Sequence, residues 1–356
     1  MQLTEAAVRL SALNSRGSHE IIYVEGFSRR KLKWLKLCLG GARLRQLSRF
    51  TRLKADDVIV TWGASHRLSH SDSNRLIRVE DGFLRSVGLG ADLVRPLSWV
   101  LDQKGIYFDS RQESDLENLL NGSCPDTLLD RARRLRARIV RDRRTKYNLV
   151  GVPWRRPKEA RRVILVAGQV ETDGSILYGS PTVRTNIDLL TQVRARNPNS
   201  YILYKRHPDI VAGLRASEVC EDKIASLCDE RVDHVDIVTL IDGSDEVHVM
   251  TSLTGFEALM RGKEVVCYGQ PFYAGWGLTT DLAPIARRLH KITLDHLVAM
   301  ALIVYPVYMS ADGQRLITPE EALDELTTLA LAPNRGAVLK KALRCGLRLR
   351  ARYHGS

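Results

Sequence analysis

RRVILVAGQ at residues 161–169, PTVRTNIDLLTQVRARNP at 181–198 and YILYKRHP at 201–208 together decide the fold class. The two outer runs are apolar without alternation and of strand length, as expected for strands buried on both faces of a parallel sheet. The middle run carries apolar residues at helical spacing and predicts a capped helix. Strand, helix, strand is the unit of an α/β fold. Working outward, HVDIV (234–238), EVHVMTS (246–252) and KEVVCYGQP (263–271) predict further strands, with LTGFEALMRG (253–262) as the helix between the last two. Towards the N-terminus EIIYVEGF, DDVIVTWG, RLIRVEDGF and WVLDQKGIYFD alternate with helical segments such as SRRKLKWLKLCLG. A Pro, Gly and charge-rich break, GVPWRRPKEA at 151–160, separates the two series. The expected organisation is therefore α/β, with two Rossmann-like domains at 1–150 and 151–335 facing a cleft and a basic helix at 336–356. Ligands of such sheets sit beyond the carboxyl ends of the strands.

The chain has 356 residues, 44% hydrophobic and 27% charged, which suits a globular protein and excludes a disordered or fibrous one. Its formal charge of +13 favours polyanionic partners. The excess arginine concentrates in RARRLRARIVRDRR (131–144) and KKALRCGLRLRAR (340–352). Each reads either as a solvated basic helix face or as a surface for anionic lipid or phosphate. No nucleic-acid module accompanies the charge, so nucleic acid is not an expected partner. Six cysteines form no CxxC pair, which points to a reduced, cytoplasmic chain. The N-terminal run lacks the apolar core of a signal peptide, and no run reaches the 18 or so apolar residues of a membrane span.

Unusual residues cluster where strands are expected to end. In VEDGF, Glu80 and Asp81 are adjacent, so on a strand they point to opposite faces. In GQVETDGSI, Glu171 and Asp173 are two apart and could hold a metal or act as nucleophile or base; the alternative is a loop acid capping a turn through Gly174 and Ser175. In KRHPD, three cations precede Pro208, a grouping suited to a phosphate. In TSLTGFEAL, hydroxyls at Ser252 and Thr254 open a helix and form an anion site, with Glu257 in the capping-box position three residues after Thr254. In YGQPFYAGWGLTTD, glycines at 269, 275 and 277 would let the backbone approach a ligand, and Phe272, Tyr273 and Trp276 offer flat faces for a base or sugar; the alternative is a packed aromatic loop. No P-loop, no GxGxxG after a strand, no HExxH and no GxSxG occurs.

Taken in order, VEDGFLRSVGLGADLVRPLS, GIYFD, GQVETDGSI, KRHPD, TSLTGFEAL and YGQPFYAGWGLT resemble the bacterial capsule polysaccharide biosynthesis and export family, whose better understood members are retaining β-Kdo glycosyltransferases. The resemblance runs from about residue 20 to 325. It implies a GT-B-like architecture, CMP-Kdo as donor, no cofactor and no metal. As acceptor it implies a β-Kdo oligosaccharide on a phosphatidylglycerol-type lipid. By the same resemblance Asp173 is the expected nucleophile with Glu171 as substitute, and Glu80 the base on the acceptor. Lys205, His207, Pro208, Ser252, Thr254 and Gln270 would hold the donor. Asp81, Arg85, Arg95, Gln169, Tyr273 and Trp276 would bind the sugars. The expected location is cytoplasmic, peripheral to the anionic inner-membrane surface, with other capsule assembly proteins as further partners. A non-catalytic export component that binds the lipid-linked glycan is the competing reading.

Overall fold

In the computed structural model, residues 21–48, 50–55, 57–63, 75–88, 94–149, 151–213, 221–288 and 290–331 are described. The basic segment at 336–356, with Cys345, and Cys220 lie outside them. The chain divides into two compact units. The first is drawn from Met1–Ser86, Arg95–Arg136 and Asp295–Thr328; the second is drawn from Val87–Val94, Ala137–Leu294 and Leu329–Ser356.

The first unit holds a mixed sheet of β1 (Ile21–Glu25), β2 (Arg43–Gln46), β3 (Val58–Trp62), β4 (Arg75–Asp81), β5 (Ser98–Asp102), β12 (Pro306–Met309) and β13 (Leu316–Ile317). Its order is β13-β12-β5-β4-β3-β1-β2. Strands β2, β1, β3 and β4 run parallel, whereas β5 is antiparallel to β4 and β12 antiparallel to β5. One face carries Ile22, Val24, Val58, Val60, Ile77, Val79, Trp99 and Leu101 against helix α1 (Arg29–Cys38), which contributes Leu35 and Cys38. Ser28 caps α1 by accepting from the Lys31 amide. Burying each such large side chain contributes about 1.5–3 kcal/mol before entropy is counted.

The second unit has a wholly parallel sheet ordered β11-β10-β9-β6-β7-β8, from β6 (Val163–Ala167), β7 (Tyr201–Lys205), β8 (Glu230–Val232), β9 (Glu246–Val249), β10 (Glu264–Cys267) and β11 (Thr280–Asp281). This is the α/β pattern read from residues 161–208. Helix α5 (Asn186–Arg196), capped by Thr185, buries Leu189, Leu190 and Val193 against Ile164, Val166 and Ile202. Because β6 lies between β7 and β9, chain order reverses beside it, and that is where α/β sheets bind ligands.

Three expectations are corrected. The first sheet is not purely parallel, since the segment between β4 and β5 folds back on itself. The first domain does not end at residue 150: the boundary falls within helix α3 (Asp126–Arg141), and residues from Asp295 onward return to pair with β5. HVDIV is not a strand, because Asp236 accepts from the Thr239 amide at 2.9 Å and caps helix α8 (Ile237–Gly243). Between β7 and that helix, the chain forms α6 (Pro208–Val211) and α7 (Glu221–Leu227).

Much of the basic run at 131–144 is engaged in ion pairs. In the first unit Arg131 pairs with Glu320 at 2.8 Å, and Arg133 and Arg136 both meet Asp295. In the second, Arg143 reaches Asp242 at 2.8 Å. Cys38, Cys124, Cys228 and Cys267 are free.

Candidate functional site

In the second unit, functional side chains gather where β6, β7 and β9 end. The turn after β6 places Gln169 across the reversal point: its Oε1 accepts from the Thr251 amide at 2.9 Å and its Nε2 donates to Thr251 Oγ1 at 3.0 Å. Asn186, the first residue of α5, donates through its amide (2.7 Å) and Nδ2 (3.0 Å) to Glu171 Oε1, and its own Oδ1 receives the Gln169 amide at 2.8 Å. Glu171 is therefore held rigidly by one oxygen. Asp173 is exposed and caps the short helix α4 (Gly174–Gly179): its Oδ1 accepts from the Ser175 amide at 2.9 Å and from Ser175 Oγ at 2.7 Å. The capping alternative is thus realised, and Oδ2 lies outside the cap.

At the end of β7 the three expected cations divide. Lys205 donates to the Asp233 carbonyl and Arg206 pairs with the Asp233 carboxylate, so neither is an isolated charge. Burial lowers the Lys205 pKa against the opposing pull of Asp233 and Asp236. His207 caps α6, with Pro208 at its first position, and its Nδ1 accepts from the Asp209 amide at 3.1 Å. That bond leaves the proton of a neutral ring on Nε2.

After β9, Ser252 rather than Thr254 caps helix α9 (Leu253–Met260), accepting from the Thr254 amide at 3.2 Å and donating to Thr254 Oγ1 at 3.1 Å. Three residues past the cap stands Gly255, so the expected capping box does not form. Glu257 is instead buried, and its Oε1 accepts from the Lys146 amide at 2.8 Å. The aromatic loop takes its packed alternative. Tyr273 and Trp276 are fully buried and present no ring face to a ligand. Tyr273 donates to the Ser252 carbonyl, and Trp276 donates to the Phe272 carbonyl at 2.9 Å. Gly275 and Gly277 turn the loop with φ of +88° and +76°, which explains them without a ligand. Gln270 sits at the edge of this loop, its amide donating to the Gly179 carbonyl at 2.7 Å and its Nε2 to the Pro284 carbonyl at 3.1 Å.

In the first unit, pairing places Glu80 opposite Val100 and Asp81 opposite Trp99, on opposite faces of β4, and both acids are half-buried. Asp81 joins Val79 and Trp99 on the α1 side, where its Oδ2 accepts from Arg85 Nε at 2.6 Å. Lys31 lies 3.0 Å from the centroid of the Trp62 ring, and burial lowers its pKa against the pull of Asp81 and Glu80. Glu80 Oε1 accepts from the Asp81 amide at 2.9 Å. Arg85 is buried and committed to Asp81 and to Ser86 Oγ at 2.7 Å, so it is a structural partner of Asp81 rather than an open anion site. Arg95 donates to the Ala311 carbonyl at 2.9 Å and its guanidinium lies 5.1 Å from the Trp34 ring centroid, a packing role that sequence spacing does not reveal.

Asn186 and Lys31 were missed by sequence reasoning. Asn186 looks like an ordinary helix-start residue, and Lys31 like one more basic position on an amphipathic helix. Among the described residues no group of three or more His, Cys, Asp or Glu converges on a metal position, and no helix is long and apolar enough to cross a membrane.

The chain belongs to the capsule polysaccharide biosynthesis protein family, whose model matches residues 57–150 and 152–310. The chain is 47% identical over 276 residues to the capsule polysaccharide modification protein LipA of Neisseria meningitidis serogroup A, covering 76% of this chain and 39% of that protein. It is 44% identical over 261 residues to the lipopolysaccharide-processing protein LpsZ of Rhizobium meliloti, covering 70% of this chain and 59% of that one. The chain thus spans about two fifths of the first of these curated relatives and about three fifths of the second. Among solved structures, the β-Kdo 2,7 transferase of Thermosulfurimonas dismutans KpsC superposes with a TM-score of 0.75 at 38% identity, covering 87% of this chain and 99% of that one. The β-Kdo 2,4 transferase of the same protein gives 0.72 at 28% identity, covering 89% and 99%.

Proposed function

We propose that the chain is a retaining β-Kdo glycosyltransferase of GT-B type, which takes Kdo from CMP-Kdo and extends a β-Kdo linker on a phosphatidylglycerol-type lipid for capsule biosynthesis. The likeness of 87% of the chain to a β-Kdo 2,7 transferase is the observation that carries this reading. On this reading the second unit binds the donor, the first binds the acceptor, and the protein works as a peripheral enzyme at the cytoplasmic face of the inner membrane.

Retention requires two displacements. Asp173 Oδ2 attacks the anomeric carbon of Kdo, the bond to the CMP phosphate oxygen breaks, and CMP leaves with its electron pair. The Ser252 hydroxyl, the amides that open α9, His207 Nε2 and Lys205 receive the charge that develops on the phosphate. The acceptor hydroxyl then attacks the same carbon from the opposite face as Glu80 takes its proton, and the Asp173 ester bond breaks. Glu171, fixed by Asn186, is the substitute nucleophile. Gln169 and Gln270 hold the donor loop in register. The scheme needs no metal, since protein donors neutralise the phosphate.

The test is intact-protein mass spectrometry after incubation with CMP-Kdo, on wild type and Asp173→Asn. Asparagine caps a helix as well as aspartate does, so the variant keeps its fold. A gain of one Kdo mass in wild type alone supports the scheme. An adduct that persists in Asp173→Asn but is lost in Glu171→Gln moves the nucleophile. A wild type that neither binds CMP nor releases it from CMP-Kdo refutes the enzyme reading in favour of an export component.

A further inference from the structure

Sequence reasoning gave the recognition of sugar carboxylates to Arg85 and Arg95. Arg85 is committed to Asp81 and Ser86, whereas Arg95 donates through Nη1 to the Ala311 carbonyl and keeps its Nε and Nη2 buried without a partner. A second arginine of the first unit shares that condition and lies on the strand of the candidate acids. Arg78 lies in the middle of β4, opposite Thr61 of β3 and Asp102 of β5. It is 8% exposed, and its Nε is buried with no hydrogen-bond partner. Its pKa is lowered by burial, against the pull of Asp102 and Asp109.

Those two carboxylates are spoken for. Asp102 accepts from the amides of Lys104, Gly105 and Asp115 and from the Tyr305 hydroxyl at 2.8 Å. Asp109 is held bidentately by Arg111, at 2.8 and 2.7 Å. Among the described residues neither accepts a hydrogen bond from the Arg78 guanidinium. A buried cation without a hydrogen-bonded partner carries a desolvation cost that the pull of Asp102 and Asp109 offsets only in part. Such a group is kept where an anion completes it.

The position of Arg78 indicates which anion. Residues two apart on a strand share a face, so Arg78 and Glu80 point the same way, about 7 Å apart along β4. Asp81 points to the other side. A ligand whose carboxylate meets Arg78 therefore presents neighbouring groups of the same sugar ring to Glu80.

Resting on the reading of Glu80 as the acceptor base, we infer that Arg78 is the specificity-determining residue of the acceptor site, receiving the carboxylate of the terminal acidic sugar as a bidentate partner and so setting which hydroxyl meets Glu80. A planar guanidinium matches a planar carboxylate through two parallel hydrogen bonds, which a neutral sugar cannot supply. The glycine-terminated RVEDG run then reads as one device: a cation that selects the acceptor, an acid that activates it, and a second acid that anchors the turn.

The test uses the whole chain and titrates three probes by ligand-observed NMR: the methyl β-glycoside of Kdo, its methyl ester, and glycerol 3-phosphate. Wild type is expected to bind the free acid and to discriminate against the ester. Arg78→Met should lose about tenfold to hundredfold in affinity for the acid, the range for a charge-assisted hydrogen bond, and lose the discrimination. Arg78→Lys should fall between. The second readout is the thermal midpoint of ligand-free protein, which should stay level or rise in Arg78→Met, because an unpaired buried charge has been removed. A midpoint lowered by several degrees with acid binding intact would make Arg78 a structural residue and overturn the inference. Failure of wild type to bind the free acid would overturn it too, and preference for glycerol 3-phosphate would replace the sugar carboxylate by a headgroup phosphate. CMP binding by calorimetry, measured in parallel, reports on the donor reading alone and should not change in Arg78→Met.

Discussion

Gly255 and Tyr273 set up a sharp test of how the donor turn is built. A Cβ added at Gly255 would lie 2.3 Å from Tyr273 Oη, 2.8 Å from Cζ and 2.9 Å from Cε2. The ring cannot swing away, because it is fully buried against Phe256 and Phe272 and its hydroxyl is tied to the Ser252 carbonyl. Overpacking of this kind costs about 1–3 kcal/mol, and alanine recovers up to about 1 kcal/mol of helix propensity, so Gly255→Ala should cost about 1–2 kcal/mol. Tyr273→Phe removes a buried hydrogen bond and should cost about 1–2 kcal/mol. If the two act independently, the double variant loses about 2–4 kcal/mol. Removing the hydroxyl also removes the atom nearest the new methyl and frees the ring to shift by tenths of an ångström. The double variant should therefore be no worse than Tyr273→Phe alone, a coupling of about 1–2 kcal/mol. Urea unfolding followed by circular dichroism measures the cycle, and CMP calorimetry on the same proteins reads the donor turn. Strict additivity, within about 0.5 kcal/mol, would show that the tyrosine does not hold this helix start.

Glu257 gives a pH prediction. Burial raises its pKa above the ordinary 4.5, outweighing the amide of Lys146 and the charges of Arg261 and Lys146. The folded chain then keeps a proton that the unfolded chain releases, so this group's contribution is full below about 4.5 and declines as pH rises through the folded value. In Glu257→Gln that decline should vanish, and denaturation profiles that fall in parallel for both proteins between pH 5 and 8 would refute it. Asp102 accepts four donors around one buried carboxylate. Asp102→Asn sets an NH2 among those donors and should cost about 2–4 kcal/mol, well beyond an exposed Asp→Asn change. A thermal midpoint within a degree of wild type would contradict that account.

The centre of the second unit was legible in sequence because β6, β7, β9 and β10 are apolar runs closed by polar turns, whereas β8 (Glu230–Val232) and β11 (Thr280–Asp281) carry no such pattern and HVDIV carries it without being a strand. The first unit was only half legible. SWVLD reads like any buried strand, and nothing local to it states that its neighbour is Val307, far along the chain, or that it runs antiparallel to RLIRVED. The candidate acids were legible by type and spacing, including the possibility that Asp173 caps a turn. Exposure was not. Phe, Tyr and Trp in a glycine-rich loop have the same composition whether they meet a ligand or one another, and burial decided for the latter. Arg85, Arg95 and Arg78 are equally basic in the sequence, and only the location of their partners separates them.

The return of β12 to the first sheet bears on how this chain comes into being. Until Pro306–Met309 has been synthesised, β5 offers an open edge with Trp99, Val100 and Leu101 in it, while every strand of the second sheet is already present. An open apolar edge is a template for pairing with other chains. A ribosome-released fragment ending near residue 294 should therefore aggregate through its N-terminal half, although the half made later is complete. Strands β12 and β13 thus close a sheet whose other strands were made about 200 residues earlier.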